Sequence, residues 1–255
     1  MDASDTKYLG DYVLSLRQSG GGFSYVSTLP ATLEDTYYAL KLLEELKIPF
    51  SDKKTSEYAV RVSRVNGGSR ENVYRLIYVL SRVSPTRLAC WHGKLKMPLL
   101  EKGSADEVYY ALLSKEIIGE EMCLSQKLKE EIASLGISKL KYVPEVARCV
   151  TLMKKTKTRF REEEYVRWLR DAQMPDGGYG FLQGSTSYLE TTYYALRALK
   201  ALNNAPGDLH ECERFIRLCK CQKGYARQIL ARPSVESTYH AVSGLNIIEE
   251  MRRKE

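Results

Sequence analysis

Six segments of the chain carry apolar residues at helical spacing, and each contains an acid near its start: LEDTYYAL, RENVYRLI, ADEVYYAL, PEVARCVT, LETTYYAL and VESTYHAV. The acids are Glu34, Glu71, Asp106, Glu145, Glu190 and Glu236, at intervals of 37, 35, 39, 45 and 46 residues. A period of that size is one helical hairpin with its loops, so the pattern predicts a repeat architecture. After each acid the apolar positions keep to one helical face, as Leu40, Leu43 and Leu46 do after Glu34, or Leu196, Leu199 and Leu202 after Glu190.

A second helix is expected before each of these six. Two copies share the pattern YVxxLR, at Tyr12, Val13, Leu16, Arg17 and at Tyr165, Val166, Leu169, Arg170. Between the paired helices lies a glycine turn: Gly21-Gly22-Phe23, Gly67-Gly68, Gly177-Gly178-Tyr179 and Gly224-Tyr225. Glycine accepts the left-handed conformation that stops a helix. In repeats one, five and six the aromatic after the glycine (Phe23, Tyr179, Tyr225) stands 11 residues before the acid, which predicts one loop geometry used three times. No period-2 pattern competes, and the eight prolines fall at loops or helix starts, so the fold class read from the chain is all-α.

Open solenoids need polar capping repeats at their ends, whereas the first and last repeats here are among the best copies. Closure of the first hairpin on the last is therefore expected, giving an (α/α)6 toroid, a six-hairpin barrel with inner and outer helix rings, formed by residues 1–255 as one domain.

Composition adds boundaries. Of 255 residues, 44% are hydrophobic and 28% charged, ordinary for a globular chain with a sizeable core. No apolar run is long enough for a membrane span and the first residues lack a signal-peptide pattern, so a cytoplasmic location is expected. The six cysteines are too scattered for a disulfide scaffold and read as reduced thiols, with Cys212 and Cys219 on one face of a helix. The net charge of +7 raises nucleic acid as a partner. The run Lys154 to Arg161, however, has no aromatic before Phe160 and passes at once into Glu162, Glu163 and Glu164. It reads as a solvated helix entry, and no nucleic-acid site is expected.

Candidate chemistry lies where the repeats align. Three residues after each acid, on the same helical face, come Tyr37, Tyr74, Tyr109, Arg148, Tyr193 and Tyr239. If the acid-bearing helices form the inner wall, acids sit above a ring of phenols. An apolar body with a polar rim suits a ligand cavity, so these six are candidate binding residues, and Glu34, Asp35, Glu190 and Glu236 are candidate catalytic acids. The acids have a structural reading too: Thr32 to Asp35, Ser104 to Glu107 and Ser187 to Glu190 fit capping boxes. Cys90-Trp91-His92 lacks a second ligand pair at zinc-site spacing, and His240, in the second tyrosine position of its repeat, reads as packing between helices.

The GGF-type turn, the ExTYYAL-type helix, the six copies and the terminal TYHAVSGL together resemble the α/α-toroid superfamily of protein prenyltransferase β subunits and class II terpene cyclases. The resemblance covers essentially the whole chain and implies an isoprenoid or other apolar ligand in the central cavity, with a partner protein subunit as in the prenyltransferases. It also implies a catalytic zinc held by an Asp, a Cys two residues later and a His on the next inner helix. Those positions fall here on Glu190, Thr192 and Ser237, so only the carboxylate is kept. The family's diphosphate-gripping basic residues fall on uncharged positions near Gly184 and Ser187, and the cyclase motif DxDD is absent. No cofactor is expected: zinc lacks its thiolate, while a hard cation such as magnesium remains compatible with the carboxylates. Three functions stay open: a transferase or cyclase of this type without a Cys/His zinc site, a non-catalytic ligand-binding or protein-interaction module, and a carboxylate-based glycan hydrolase or lyase.

Overall fold

The computed structural model describes residues 3–65, 69–86, 88, 104–120, 124–134 and 136–254. Gly67, Gly68, the Cys90-Trp91-His92 triplet and Cys123 lie outside the described residues.

Eleven α-helices are described: α1 (Ala3–Ser15), α2 (Leu33–Glu45), α3 (Lys53–Val65), α4 (Arg70–Val83), α5 (Ala105–Ile118), α6 (Gln126–Ser134), α7 (Val143–Lys155), α8 (Glu162–Asp171), α9 (Leu189–Ala201), α10 (Leu209–Leu218) and α11 (Val235–Arg252). The six expected acid-bearing helices are α2, α4, α5, α7, α9 and α11, each with its acid in the first turn. Capping explains part of the acid pattern. Thr32 Oγ accepts from the Asp35 N–H at 2.9 Å, and Ser104 with Glu107 forms a reciprocal box at 2.9 and 3.3 Å. Glu145 accepts from the Tyr142 N–H at the start of α7. Ser187 corrects the expectation: the N-cap of α9 is Tyr188, and the Ser187 hydroxyl donates instead to Asp176 at 2.7 Å. A hydroxyl three residues before an acid caps only if the chain bends between them, and here an earlier loop acid captures it.

Strands are a second departure. β1 (Lys220–Cys221), β2 (Gly224–Ala226) and β3 (Pro233–Ser234) form a three-stranded sheet in that order, with β1 antiparallel to β2. Elements of two or three residues are too short for a period-2 pattern to register. Repeats one and five cross at the same place by isolated bridges, Arg17 to Phe23 to Thr32, and Gln173 to Tyr179 with Gly180 to Ser187.

The shared loop is held by a latch. The Phe23 N–H donates to Thr36 Oγ at 3.0 Å and the Tyr179 N–H to Thr192 Oγ, also at 3.0 Å. Each threonine in turn donates back to the carbonyl four residues earlier, Thr32 at 2.6 Å and Tyr188 at 2.8 Å. The buried loop backbone is thus tied to the helix it precedes, which satisfies donors that would otherwise be stranded. Gly21 and Gly177 complete the geometry. Both have positive φ, and a Cβ on either would meet, at 2.1 Å, a backbone oxygen of the helix that opens the next repeat, Lys54 on α3 and Glu211 on α10.

The chain divides into two compact units. The first is drawn from Met1–Leu99, Tyr110–Cys123 and Ser234–Tyr239. Within it α1 packs on α2, α2 on α4 and α3 on α4. Leu9, Val13, Phe23, Leu42, Leu43, Ile77 and Leu80 are buried there, and Phe23 meets Phe50 at 5.4 Å between ring centres. The second is drawn from Leu100–Tyr109, Leu124–Pro233 and His240–Glu255. In it α7 packs on α9, with α6 and α8 against α7, around Leu128, Leu152, Met153, Leu169, Leu199 and Phe215. The basic run between α7 and α8 is paired at its two ends with the acids that open α8, Lys154 with Glu162 at 3.1 Å and Arg161 with Glu164 at 2.9 Å. Cys149, Cys212 and Cys219 are buried free thiols, as expected of reduced cysteines.

Candidate functional site

In the first unit α2 and α4 bring Tyr37 and Tyr74 edge to face at 5.7 Å, and the Tyr37 hydroxyl donates to the Tyr74 hydroxyl at 3.4 Å. Tyr38 and Tyr78 close on Tyr37 at 5.0 and 5.1 Å, and Tyr239 meets Tyr38 at 5.8 Å. The Lys41 ammonium stands 4.8 Å over the Tyr78 ring and 5.8 Å over Tyr239. Above the phenols one guanidinium joins two acids: Arg75 lies 2.7 Å from Glu34 and 3.0 Å from Glu71, and the Tyr110 hydroxyl donates to Glu71 at 2.8 Å. Burial, then the neighbouring phenols of Tyr74 and Tyr239, holds the Tyr37 hydroxyl well above its ordinary pKa, so it stays a neutral donor.

The second unit repeats the theme with different partners. Arg148 on α7 binds Asp106 of α5 at 2.6 Å, and Arg197 on α9 donates to the Tyr109 hydroxyl at 3.2 Å. The Tyr193 ring stacks on His240 at 5.0 Å. Glu190 sits in the first turn of α9, and burial, followed by Tyr109 and Glu190, raises the Tyr194 phenol. Candidate residues are thus brought together as Glu34, Tyr37, Tyr74 and Tyr239 in one unit, while in the other Arg197 joins Tyr109 to the Tyr193 ring, 5.5 Å below it, and Arg148 pairs with Asp106. Asp35 serves the Thr32 cap, and burial raises its carboxyl while the Thr32 hydrogen bond opposes this. Glu236 opens α11.

All five candidate tyrosines are buried, at 4–9% exposure. The residues that were not read as site candidates lie one position further along the same face: Tyr38, Arg75, Tyr110, Cys149 and Tyr194 follow their acids by four, as does His240, which was read as a packing residue. The i+4 row was as visible as the i+3 row.

The zinc of the family that the chain resembles does not fit these residues. Thr192 is fully buried with its hydroxyl engaged twice in the latch. The Ser237 hydroxyl accepts from Ser234 at 2.9 Å, and Ser234 Oγ accepts from the Ser237 N–H at 3.0 Å, an N-terminal cap for α11. Neither hydroxyl supplies a soft, anionic ligand. Among the described residues no three His, Cys, Asp or Glu side chains converge on one point.

Residues 1–78 and 109–254 match the family described as the prenyltransferase alpha-alpha toroid domain. The chain belongs to this family. Its fold class is accordingly that of the α/α toroid, with the short sheet of the last repeat as a local addition. No curated protein matches the chain in sequence.

One titration of the toroid is readable from its geometry. His240 is buried against Tyr193 and Tyr194, and desolvation, aided by the Arg197 charge, holds its pKa down to about 3. The unfolded chain takes up this proton near pH 6.5, the folded chain only near pH 3. Its contribution to stability is therefore complete above pH 6.5 and falls as the pH drops through that window. His240→Phe is expected to flatten the slope, removing roughly 2 kcal/mol of the loss between pH 7 and pH 4.5. Urea midpoints at the two pH values check this, and equal acid losses in both proteins would refute it.

Proposed function

We propose that this toroid is a binding module with a wall of packed phenols that does not carry out zinc-thiolate prenyl transfer. The observation that carries the reading is the Thr192 hydroxyl. At the position where the family places a zinc thiolate, this chain has a group locked between the Tyr179 N–H and the Tyr188 carbonyl. The carboxylates that a hard cation would use in the first unit, Glu34 and Glu71, already face Arg75. The same guanidinium stands where an acid/base pair would need a glycosidic bond, which weighs against glycan cleavage. The ligand class that fits packed phenol faces is an apolar, isoprenoid-like molecule, with a partner protein as the second reading, since the tyrosines already cover one another.

The test is zinc content and farnesyl or geranylgeranyl transfer to a cysteine peptide by the purified protein, alongside native mass spectrometry for a retained lipid. The expected result is no stoichiometric zinc, no transfer, and a co-purified apolar ligand. Stoichiometric zinc, or transfer lost in Glu190→Gln with the fold intact, overturns the reading. No bound or added isoprenoid would leave the protein-partner reading in its place.

A further inference from the structure

Seven of the ten exposed large apolar side chains among the described residues fall in the loops of repeats one, five and six: Tyr25, Val26, Leu29, Phe181, Leu182, Ile229 and Leu230. This is concentration in one kind of loop and not the single scattering usual on a protein surface. Each of the three loops has a turn closed by an N–H to carbonyl bond, from Leu29 to Val26 at 3.0 Å, from Ser185 to Leu182 at 3.1 Å and from Ala231 to Gln228 at 3.2 Å, and the last two share a left-handed third residue. Aligned by those bonds, Gly184 and Leu230 hold the same place. Gly184 has φ +78, and Leu230 has φ +65. A leucine thus stands in a left-handed conformation that glycine takes in the sister loop, and it is 99% exposed. Nothing within the fold repays that arrangement, because the side chain touches almost nothing. An unfavourable backbone that presents an apolar group to solvent points to something outside the chain.

The surroundings indicate what that is. In the second unit the loops of repeats five and six adjoin, since the Leu189 N–H donates to the Arg227 carbonyl at 2.9 Å and the Arg227 guanidinium lies 4.1 Å over the Tyr188 ring. Phe181 is seated at the start of α7, its carbonyl accepting from the Val143 N–H at 3.0 Å. Exposed cations belong to the same segments: Arg227 and Arg232 stand in the loop of repeat six with Ile229 and Leu230, and Lys141 two residues before Val143, whose N–H meets the Phe181 carbonyl. The nearby acids Glu145 and Asp176 are engaged locally, by the Tyr142 N–H and by the Ser187 hydroxyl with the Gly178 N–H. Apolar tips that can enter an acyl region, with cations at headgroup level, fit an anionic lipid surface. No described helix is long and apolar enough to cross a membrane, so the contact is peripheral. We infer that the loops carrying Phe181, Leu182, Ile229 and Leu230 dock this protein on anionic membranes, with Leu230 as the inserted residue.

Flotation of the full chain with phosphatidylcholine vesicles, with and without phosphatidylglycerol, tests this. The wild type is expected to float with the anionic vesicles only. Leu230→Gly, which suits the left-handed backbone, should keep or raise the melting temperature and lower vesicle partitioning on the order of a hundredfold, from the loss of a buried four-carbon side chain. Ile229→Ser is the second variant and should weaken binding in the same direction. If the wild type stays with the unbound fraction for every vesicle, the docking surface is not for lipid and the inference fails. It fails equally if both variants float like the wild type, since charge alone would then account for binding.

Discussion

Gly177→Ala is expected to lower the unfolding free energy by about 3 kcal/mol or more, because it combines a backbone collision with a disallowed conformation. The added Cβ would lie 2.1 Å from the Glu211 carbonyl oxygen and 2.7 Å from the Cys212 nitrogen, and neither can yield without shifting the first turn of α10. The residue also sits at φ +85, where a side chain is strained whatever the space. Gly184→Ala separates the two causes. Gly184 has φ +78 and open space around its Cβ position, so only the strain acts and roughly 1 kcal/mol is expected. Urea denaturation of both variants checks the contrast. If Gly177→Ala costs no more than Gly184→Ala, the turn does not depend on close approach to α10 and the account of the hairpin is wrong.

That glycine shows what a sequence can carry. The turn was legible because glycine is a local requirement, and the acid-bearing helices were legible because their period repeats six times. Thr36 and Thr192 were also in plain view, two residues after Glu34 and Glu190, yet their role was not. A latch joins a helix to a loop 13 residues upstream, and that distance becomes a contact only once the hairpin has turned. Ser187 is the opposite case. Its spacing to Glu190 met the local rule for a cap, and a partner 11 residues away, Asp176, took the hydroxyl instead. The row of acids and phenols was found by aligning repeats, whereas Arg75 was passed over because it lies four residues after its acid, one position beyond the aligned row. Its bridge between Glu34 and Glu71 crosses from one repeat to the next, so it follows from packing and not from either segment.

The same logic bears on function. A position inherited from a zinc site gives no chemistry by inheritance, since the side chain now there has its own partners. In the match between Thr36 and Thr192 the structure supplies a reason for the threonine that has nothing to do with a metal: the two repeats use one hydroxyl for one structural task. Restoring a single ligand by Thr192→Cys would therefore remove a latch before it created a site.

Deletion of residues 208–255 is expected to abolish cooperative unfolding of what remains, and this is the largest effect foreseen. Each unit loses structural parts that it cannot replace. The first loses Tyr239, which covers Tyr38 and lies beneath the Lys41 ammonium, together with the Ser234 cap. The second loses α10, whose buried Phe215 and Cys212 are core residues, and with it the backbone against which Gly177 packs. It also loses His240, which stacks on Tyr193, and the Arg227 carbonyl that receives the Leu189 N–H at the start of α9. Uncovering so much apolar surface exceeds the stability of an ordinary domain, about 5–15 kcal/mol. Circular dichroism should show a broad, non-cooperative melt with reduced helicity, and the truncated chain should bind a dye for exposed apolar surface. A truncated chain that keeps its helicity and a sharp transition would show that the remaining repeats stand alone as an open array, and that α11 closes nothing.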